Sequence, residues 1–310
     1  MTNSTASRAL NLQEREVYTL DLNFMGVRQA IASYLIPHAH GAVLVESGPG
    51  STQEALQERL GAYGFTPGDV TDVLLTHIHL DHAGAAGWLA QQGARIHVHP
   101  LGAPHLADPE KLLSSARRIY GELMDVLWGQ FLPVPEARLQ VPEDGEVLSI
   151  HGLQFKAVDT PGHADHHFAY RYEDWLFTGD IGGVRLPGRP HVRLPMPPPE
   201  FHLEKWRASL ARLEQEGAKR FVPTHFGAYE DTGWHLQALK RALDEVEAWM
   251  EKELPLDHPD DELNRRFLEW TEKRSRAEGL GDAELHAYET ANPSWMSSSG
   301  IRRYWRKHRQ

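Results

Sequence analysis

The chain has 310 residues, 41% of them hydrophobic and 24% charged, and it contains no apolar run near the ~18 residues that a membrane span needs. Its formal net charge of −11 argues against a general nucleic-acid surface, which requires clustered Lys and Arg to neutralise phosphates. The absence of cysteine excludes a disulfide framework, a cysteine nucleophile and any thiolate metal site, so a metal here must be held by nitrogen and oxygen.

The first ten residues, MTNSTASRAL, have neither the basic flank nor the apolar stretch of a secretory signal, which predicts a frayed start and a cytoplasmic protein. SYLIP (33–37) and AVLVES (42–47) predict a hairpin, with His38 and His40 on the surface of its turn. Residues 51–64 open with a Ser/Thr cap and space Ala55, Leu56, Leu60 and Tyr63 on one helical face. DVLLT (72–76), a small-residue helix over 82–93 and ARIHVHP (94–100) make a βαβ rhythm. Residues 105–131 have a helical apolar pattern, with Leu112, Ala116, Ile119, Leu123, Val126 and Leu127 on or near one stripe, and read as an inserted helical segment.

From residue 146 the pattern turns to strands: EVLSI, LQFKAVDT and HFAYRYEDWLFTGD, with turns at HG and YED. Six prolines in residues 186–200 predict an ordered surface loop. A helix over 201–217 and a short strand at RFVPT (220–224) follow, and beyond residue 230 only helical spacing remains. The final IRRYWRKHRQ (301–310) is expected to be a solvated last turn whose cations suit the helix dipole, with Tyr304 and Trp305 packed on the body. Its alternative use is contact with an anionic ligand or RNA.

Residues 76–82 read THIHLDH. Side chains two apart in an extended segment share a side, so His77 and His79 can offer two imidazoles to one cation. Asp81 and His82 come as the chain turns into a helix, where another backbone direction can aim them at a second position. Three later strand ends supply further ligands: AVDTPGHADHH (157–167) with His163, LFTGD (176–180) with Asp180, and FVPTH (221–225) with His225. The assignment that follows places His77, His79 and His163 on one metal and Asp81, His82 and His225 on a second, with Asp180 bridging both. Surface histidines are the bland alternative in a chain with 19 of them, but four ligand-type residues in one loop after a strand argue for metal. Two divalent ions are expected, zinc foremost, with Mn and Fe also suited to these donors.

The ordered set THIHLDH, TPGH, FTGD and PTHFG resembles the metallo-β-lactamase superfamily over roughly residues 18–230. The resemblance implies an α/β fold built as a four-layer αββα sandwich, with the dinuclear site at the edge of its two sheets. Where such proteins carry an Asp-x-Gly turn, this chain has Glu46, Ser47 and Gly48. Residues 1–230 would be the catalytic domain, and 231–310 a C-terminal helical domain or lid.

The β-lactam-hydrolysing branch often uses a cysteine ligand, which this chain lacks, whereas Asp81 with His82 is similar to the glyoxalase II, RNase Z and lactonase branches. A helical segment after the last ligand resembles glyoxalase II, where it covers the thioester substrate. The leading expectation is a dinuclear hydrolase of a small-molecule ester-type bond, above all a thioester. A metal-bridging hydroxide would attack the acyl carbon while Asp81 accepts the proton. The alternatives are a phosphodiesterase or endoribonuclease of the RNase Z-like branch, a lactonase, or a mononuclear-iron persulfide dioxygenase. Candidate substrate contacts are Tyr120 from the inserted segment, Arg185 and Arg193 from the proline-rich region, and Arg302 and Arg303 from the tail.

Overall fold

A computed structural model describes residues 16–310; the expected fraying of the first ten lies outside them. Strands β1 (Tyr18–Asp21), β2 (Ala32–His38), β3 (Gly41–Val45), β4 (Val70–Leu74), β5 (Arg95–His97) and β6 (Leu139–Gln140) form one sheet in that spatial order. A second sheet holds β7 (Val147–Ile150), β8 (Leu153–Asp159), β9 (Phe168–Tyr172), β10 (Trp175–Phe177) and β11 (Arg220–Val222), ordered β11-β10-β9-β8-β7.

Alternation along the strands explains the layering. In β2, Tyr34 and Ile36 point to the other sheet and pack with Val43, Phe155, Ala157 and Tyr170, while Leu35 between them points away. Leu35 joins Leu44 and Val73 against Leu56 and Leu60 of α1 (Gln53–Ala62) and Leu89 of α3 (Ala86–Gln91), which follows the single turn α2 (Leu80–Ala83). On the far side, Val158, Ala169, Leu176 and Phe221 of the second sheet pack on Trp206 and Leu210 of α7 (Leu203–Gln215). Three apolar layers therefore separate four layers of structure, helix–sheet–sheet–helix, an αββα sandwich. The C-terminal helices α8 (Thr232–Glu253), α9 (Asp260–Ala277), α10 (Asp282–Ala291) and α11 (Ser294–His308) form a helical region at this second outer face. Leu239 and Leu243 of α8, Phe267 of α9 and Ile301 and Tyr304 of α11 share its apolar cluster. No helix of the described residues is long and apolar enough to cross a membrane.

Several expectations are corrected. His38 is buried rather than on the turn surface, because His151 stacks on its ring at 4.4 Å and Thr71 Oγ1 meets its Nε2 at 3.0 Å; His40 is exposed. The helix expected over 82–93 breaks into α2 and α3, since Gly84 packs directly on the Pro49–Gly50 backbone. The inserted segment is not one helix but α4 (Ala103–Ala107), α5 (Glu110–Tyr120) and α6 (Met124–Trp128). Gly121, with φ +53°, turns the chain between α5 and α6, and it takes Leu123 and Val126 off the apolar stripe, leaving each 58% exposed.

The proline-rich segment is a loop, yet His191, Val192, Leu194 and Met196 are buried in it. The C-terminal helices cover it: Ser275 Oγ meets His191 Nε2 at 3.1 Å, Asn292 Nδ2 donates to Leu194 O (3.2 Å), and Met196 N donates to Ser297 Oγ (3.3 Å). Gly300 permits this contact, because a Cβ there would overlap the Met196 carbonyl.

Candidate metal centre

Strands β8, β10 and β11 run in one direction, and the segments that leave their carboxyl ends carry His163, Asp180 and His225. The turn after β4 brings His77 and His79 to the same edge of the sandwich, and α2 adds Asp81 and His82. The left-handed Gly179 (φ +50°) lets Asp180 enter this space, because a side chain there would press on Thr76 and His167.

The seven side chains converge in three overlapping groups: His77, His79 and His163; His77, His82 and Asp180; and Asp81, His82 and His225. His77 Nε2, His79 Nδ1 and His163 Nε2 lie 2.9–3.2 Å from one another. Asp81 Oδ2 stands 3.6 Å from His82 Nε2 and 3.5 Å from His225 Nε2. Asp180 lies between the groups, with Oδ2 3.3 Å from His163 Nε2 and Oδ1 3.4 Å from both His82 Nε2 and His225 Nε2.

The outer ring nitrogens show which inner atoms carry lone pairs. His163 Nδ1 donates to Pro195 O (2.7 Å) and His225 Nδ1 to Ala30 O (2.8 Å), so each ring turns a bare Nε2 inward. Glu46 Oε1 accepts from His82 Nδ1 at 3.1 Å and from the Thr76 hydroxyl. With its proton committed to Glu46, Thr76 Oγ1 accepts from His77 Nδ1 (3.1 Å) and directs His77 Nε2 inward too. Glu46 also receives Thr224 Oγ1 (3.0 Å) and Thr76 N (3.3 Å), so one buried carboxylate holds His82 directly and the residues that precede His77 and His225.

Burial, reinforced by the neighbouring imidazoles, lowers the pKa of His77 and His79 and keeps both rings neutral, the form that binds metal. Burial alone would raise Asp81 and Asp180, but His82 and the other histidines beside them outweigh it, holding Asp81 at about 2 and Asp180 well below the carboxylate range. Two buried atoms at the heart of the cluster, His82 Nε2 and Asp180 Oδ1, find no hydrogen-bond partner among the described residues. Burial lowers the pKa of His82 and His225, but the Asp81 and Asp180 carboxylates outweigh it and raise both, so a divalent cation, which these His and Asp residues are positioned to bind, would displace a proton there.

A sequence profile described as the Metallo-beta-lactamase superfamily matches residues 27–225, ending on the last of these histidines. The chain belongs to the metallo-β-lactamase superfamily. Among similar superfamily members, a metallo-beta-lactamase fold-containing protein of Sulfurisphaera tokodaii is 31% identical over 45% of this chain and 54% of its own length. An atrochrysone carboxyl ACP thioesterase of Aspergillus fumigatus is 30% identical over 66% of this chain and 53% of its own length. A hydroxyacylglutathione hydrolase of Aeromonas salmonicida is 29% identical over 47% and 44%. The chain spans about half the length of the curated relatives it matches. In three dimensions it is similar to an archaeal metallo-beta-lactamase superfamily structure from Sulfolobus tokodaii, with TM-score 0.65 and 20% identity, covering 93% of this chain and 99% of that one.

Of the residues expected to touch substrate in this metallo-β-lactamase-fold chain, Tyr120 is near enough to Asp81 for that carboxylate's charge to act on it. Burial and then the Asp81 charge push the Tyr120 hydroxyl well above the usual range, and among the described residues the hydroxyl meets Met296 Sδ at 3.6 Å. Arg185 is buried, pairs with both oxygens of Asp231 (2.8 and 2.7 Å) and lies 3.8 Å over the Tyr229 ring. Arg193 is buried against Glu289 and Ser275. Arg302 is taken by Asp260 (2.7 Å) and the His258 carbonyl. Arg303 is exposed and lines an open groove with Arg302 and Lys307, apart from the ligand cluster. Three of the four arginines are thus held by acids distant in sequence, Asp231, Glu289 and Asp260, which the sequence alone does not place beside them.

Sequence reasoning left the role of Glu46 open. The signal was present in its place ahead of Ser47 and Gly48, but the groups it binds lie 30 to 178 residues away.

Proposed function

We propose that the protein is a dinuclear metal-dependent hydrolase whose substrate is a thioester. The observation that carries this reading is Asp180, whose two oxygens face different groups: Oδ2 is 3.3 Å from His163 Nε2, and Oδ1 is 3.4 Å from His82 Nε2 and His225 Nε2. His77, His79 and His163 would hold one ion, Asp81, His82 and His225 the other, and Asp180 both. Ions so held supply Lewis acidity to the acyl carbonyl and bring the pKa of bound water toward neutrality.

The protein's own residues orient the reaction around that chemistry. Asp81, with a side chain 20% exposed and ionised at neutral pH, is the most open acid of the cluster and takes the proton of the attacking water. The Tyr120 hydroxyl, kept protonated, donates toward a substrate oxygen. Hydrolysis forms the new C–O bond, breaks C–S, and releases the thiol with the proton that Asp81 accepted. Residues 231–310 act as a cover that closes over residues 191–196 behind His163.

Support for a thioester comes from similarity to proteins named as a thioesterase and as a hydroxyacylglutathione hydrolase. A phosphodiester strand would need a basic path, and three of the tail's four guanidinium groups are engaged within the chain, Arg302 with Asp260, Arg306 with Asp257, and Arg309 with Glu204 and Glu247, which leaves Arg303. A single-iron centre would leave one Asp180 oxygen without a role.

Elemental analysis joined to a panel of thioester, lactone and bis-p-nitrophenyl phosphate substrates tests the reading on wild type and Asp81→Ala. Two ions per chain are expected, with thioester turnover that falls about 100-fold or more in the variant. Turnover of the phosphodiester alone, or full activity in Asp81→Ala, would overturn it.

A further inference from the structure

Half of the exposed large hydrophobic side chains among the described residues belong to three segments that meet at one place: Met25, Leu123 with Val126, and Trp295. Aromatic contacts join the segments. Phe24 stacks on Trp128 with ring centroids 5.7 Å apart, Trp128 meets Tyr120 edge-on at 5.0 Å, and Tyr120 meets Trp295 at 6.0 Å. Scattered surface apolar groups need no explanation, but a contiguous partly exposed patch marks a binding surface.

Each segment is tied to a metal-centre histidine. The loop that carries Phe24 and Met25 runs to Ala30, whose carbonyl accepts from His225 Nδ1 at 2.8 Å. Gly50 packs against the Trp128 carbonyl on one side and against Gly84, two residues past His82, on the other. Ser297, next to Met296, receives Met196 N (3.3 Å), and the preceding Pro195 carbonyl receives His163 Nδ1 (2.7 Å). The aromatic residues therefore form a rim along the segments that position His225, His82 and His163.

We propose that this rim receives the acyl group of the substrate, and that the acyl group is bulky and apolar, an aromatic ring system or a chain of about six carbons or more. The inference rests on the thioesterase reading and specifies its substrate class. A small polar acyl group would leave Met25, Leu123, Val126 and Trp295 in water during catalysis. A bulky apolar one buries them, and each methylene placed there is worth roughly a factor of four in affinity.

The test measures kcat/KM for the zinc-loaded full chain on N-acetylcysteamine thioesters of acetate, hexanoate, benzoate and 2-naphthoate, and on ethyl esters of the same acids. Calorimetric binding of 2-naphthoate gives a readout independent of turnover. The expected result is a rise on the order of 10²-fold from acetyl to hexanoyl and the aromatic acyl groups. Trp295→Ala and Val126→Asp, both at exposed positions, reduce that selectivity about tenfold, chiefly through KM, and weaken naphthoate binding in parallel. A flat profile across active thioesters overturns the inference and leaves the thioesterase reading standing. The same gradient on ethyl esters with no thioester turnover refutes the thioester and keeps the rim. Binding of phosphatidylcholine vesicles without an acyl gradient would assign the rim to a membrane surface and overturn the proposal.

Discussion

Replacing Glu46 should weaken one of the two ligand groups and largely spare the other. Oε1 of this buried carboxylate receives His82 Nδ1 (3.1 Å), Thr224 Oγ1 (3.0 Å) and the Thr76 hydroxyl, and Oε2 receives Thr76 N (3.3 Å). Glu46→Gln can keep an oxygen toward the three donors, but its NH2 then faces the Thr76 N–H, and charge-assisted bonds become neutral ones of about half the strength. His82 is held by Glu46 directly, whereas His77 is reached only through Thr76. Loss of such a partner typically lowers metal affinity about 10–100-fold, or ~1.4–2.7 kcal/mol. Competition of zinc-loaded protein with a chromophoric chelator resolves the two steps, and a thermal melt of the metal-free protein reports folding. One step should weaken by about 10–100-fold and the other by less than about threefold. Equal weakening of both steps, or of neither, would refute the assignment of Glu46 to His82.

Other outcomes follow from the same geometry. Asp72 is fully buried; burial raises its pKa, but hydrogen bonds from His97 (2.8 Å) and Arg95 (2.9–3.0 Å) outweigh it and hold the carboxyl at about 2, against an ordinary 3.8. Because the folded value is the lower, the ~2.5 kcal/mol that the shift represents is fully present above about pH 4 and is lost as pH falls toward 2. Urea melts of wild type and Asp72→Asn should therefore differ at pH 6 and converge near pH 2. Asn292→Ala with Ser297→Ala frees residues 194–196, which orient His163, and should weaken the three-histidine group about tenfold in the chelator titration while sparing the other. Arg185→Ala removes a bidentate ion pair and a cation–π contact and should cost ~2–4 kcal/mol in urea melts with KM for thioesters unchanged.

The ligand cluster was legible because its spacing is local. His77 and His79 share a side of an extended turn, Asp81 and His82 follow on α2, and the remaining ligands each end a strand whose apolar run is plain in the sequence. The sandwich was legible only through the family resemblance those motifs carry, because Tyr34, Leu35 and Ile36 of β2 form an unbroken apolar run that does not by itself assign faces. What the sequence concealed depends on pairing across long separations. The proline-rich loop reads as surface until Asn292 and Ser297 are known to lie over it, and Arg185 reads as free until Asp231 and Tyr229 are placed beside it. Leu123 and Val126 fit a helical stripe on paper, and one left-handed glycine at position 121 removes them from it. Their exposure is what the proposed substrate rim would put to use.

The central claim is that Asp180 joins two metal ions, one in each group. Anomalous diffraction at the zinc edge from crystals of the zinc-loaded chain tests it directly. The account predicts two peaks, one among His77, His79 and His163 and the other among Asp81, His82 and His225, each about 2.0–2.2 Å from a different Asp180 oxygen. A single peak, or two peaks with Asp180 bound to only one, would contradict it.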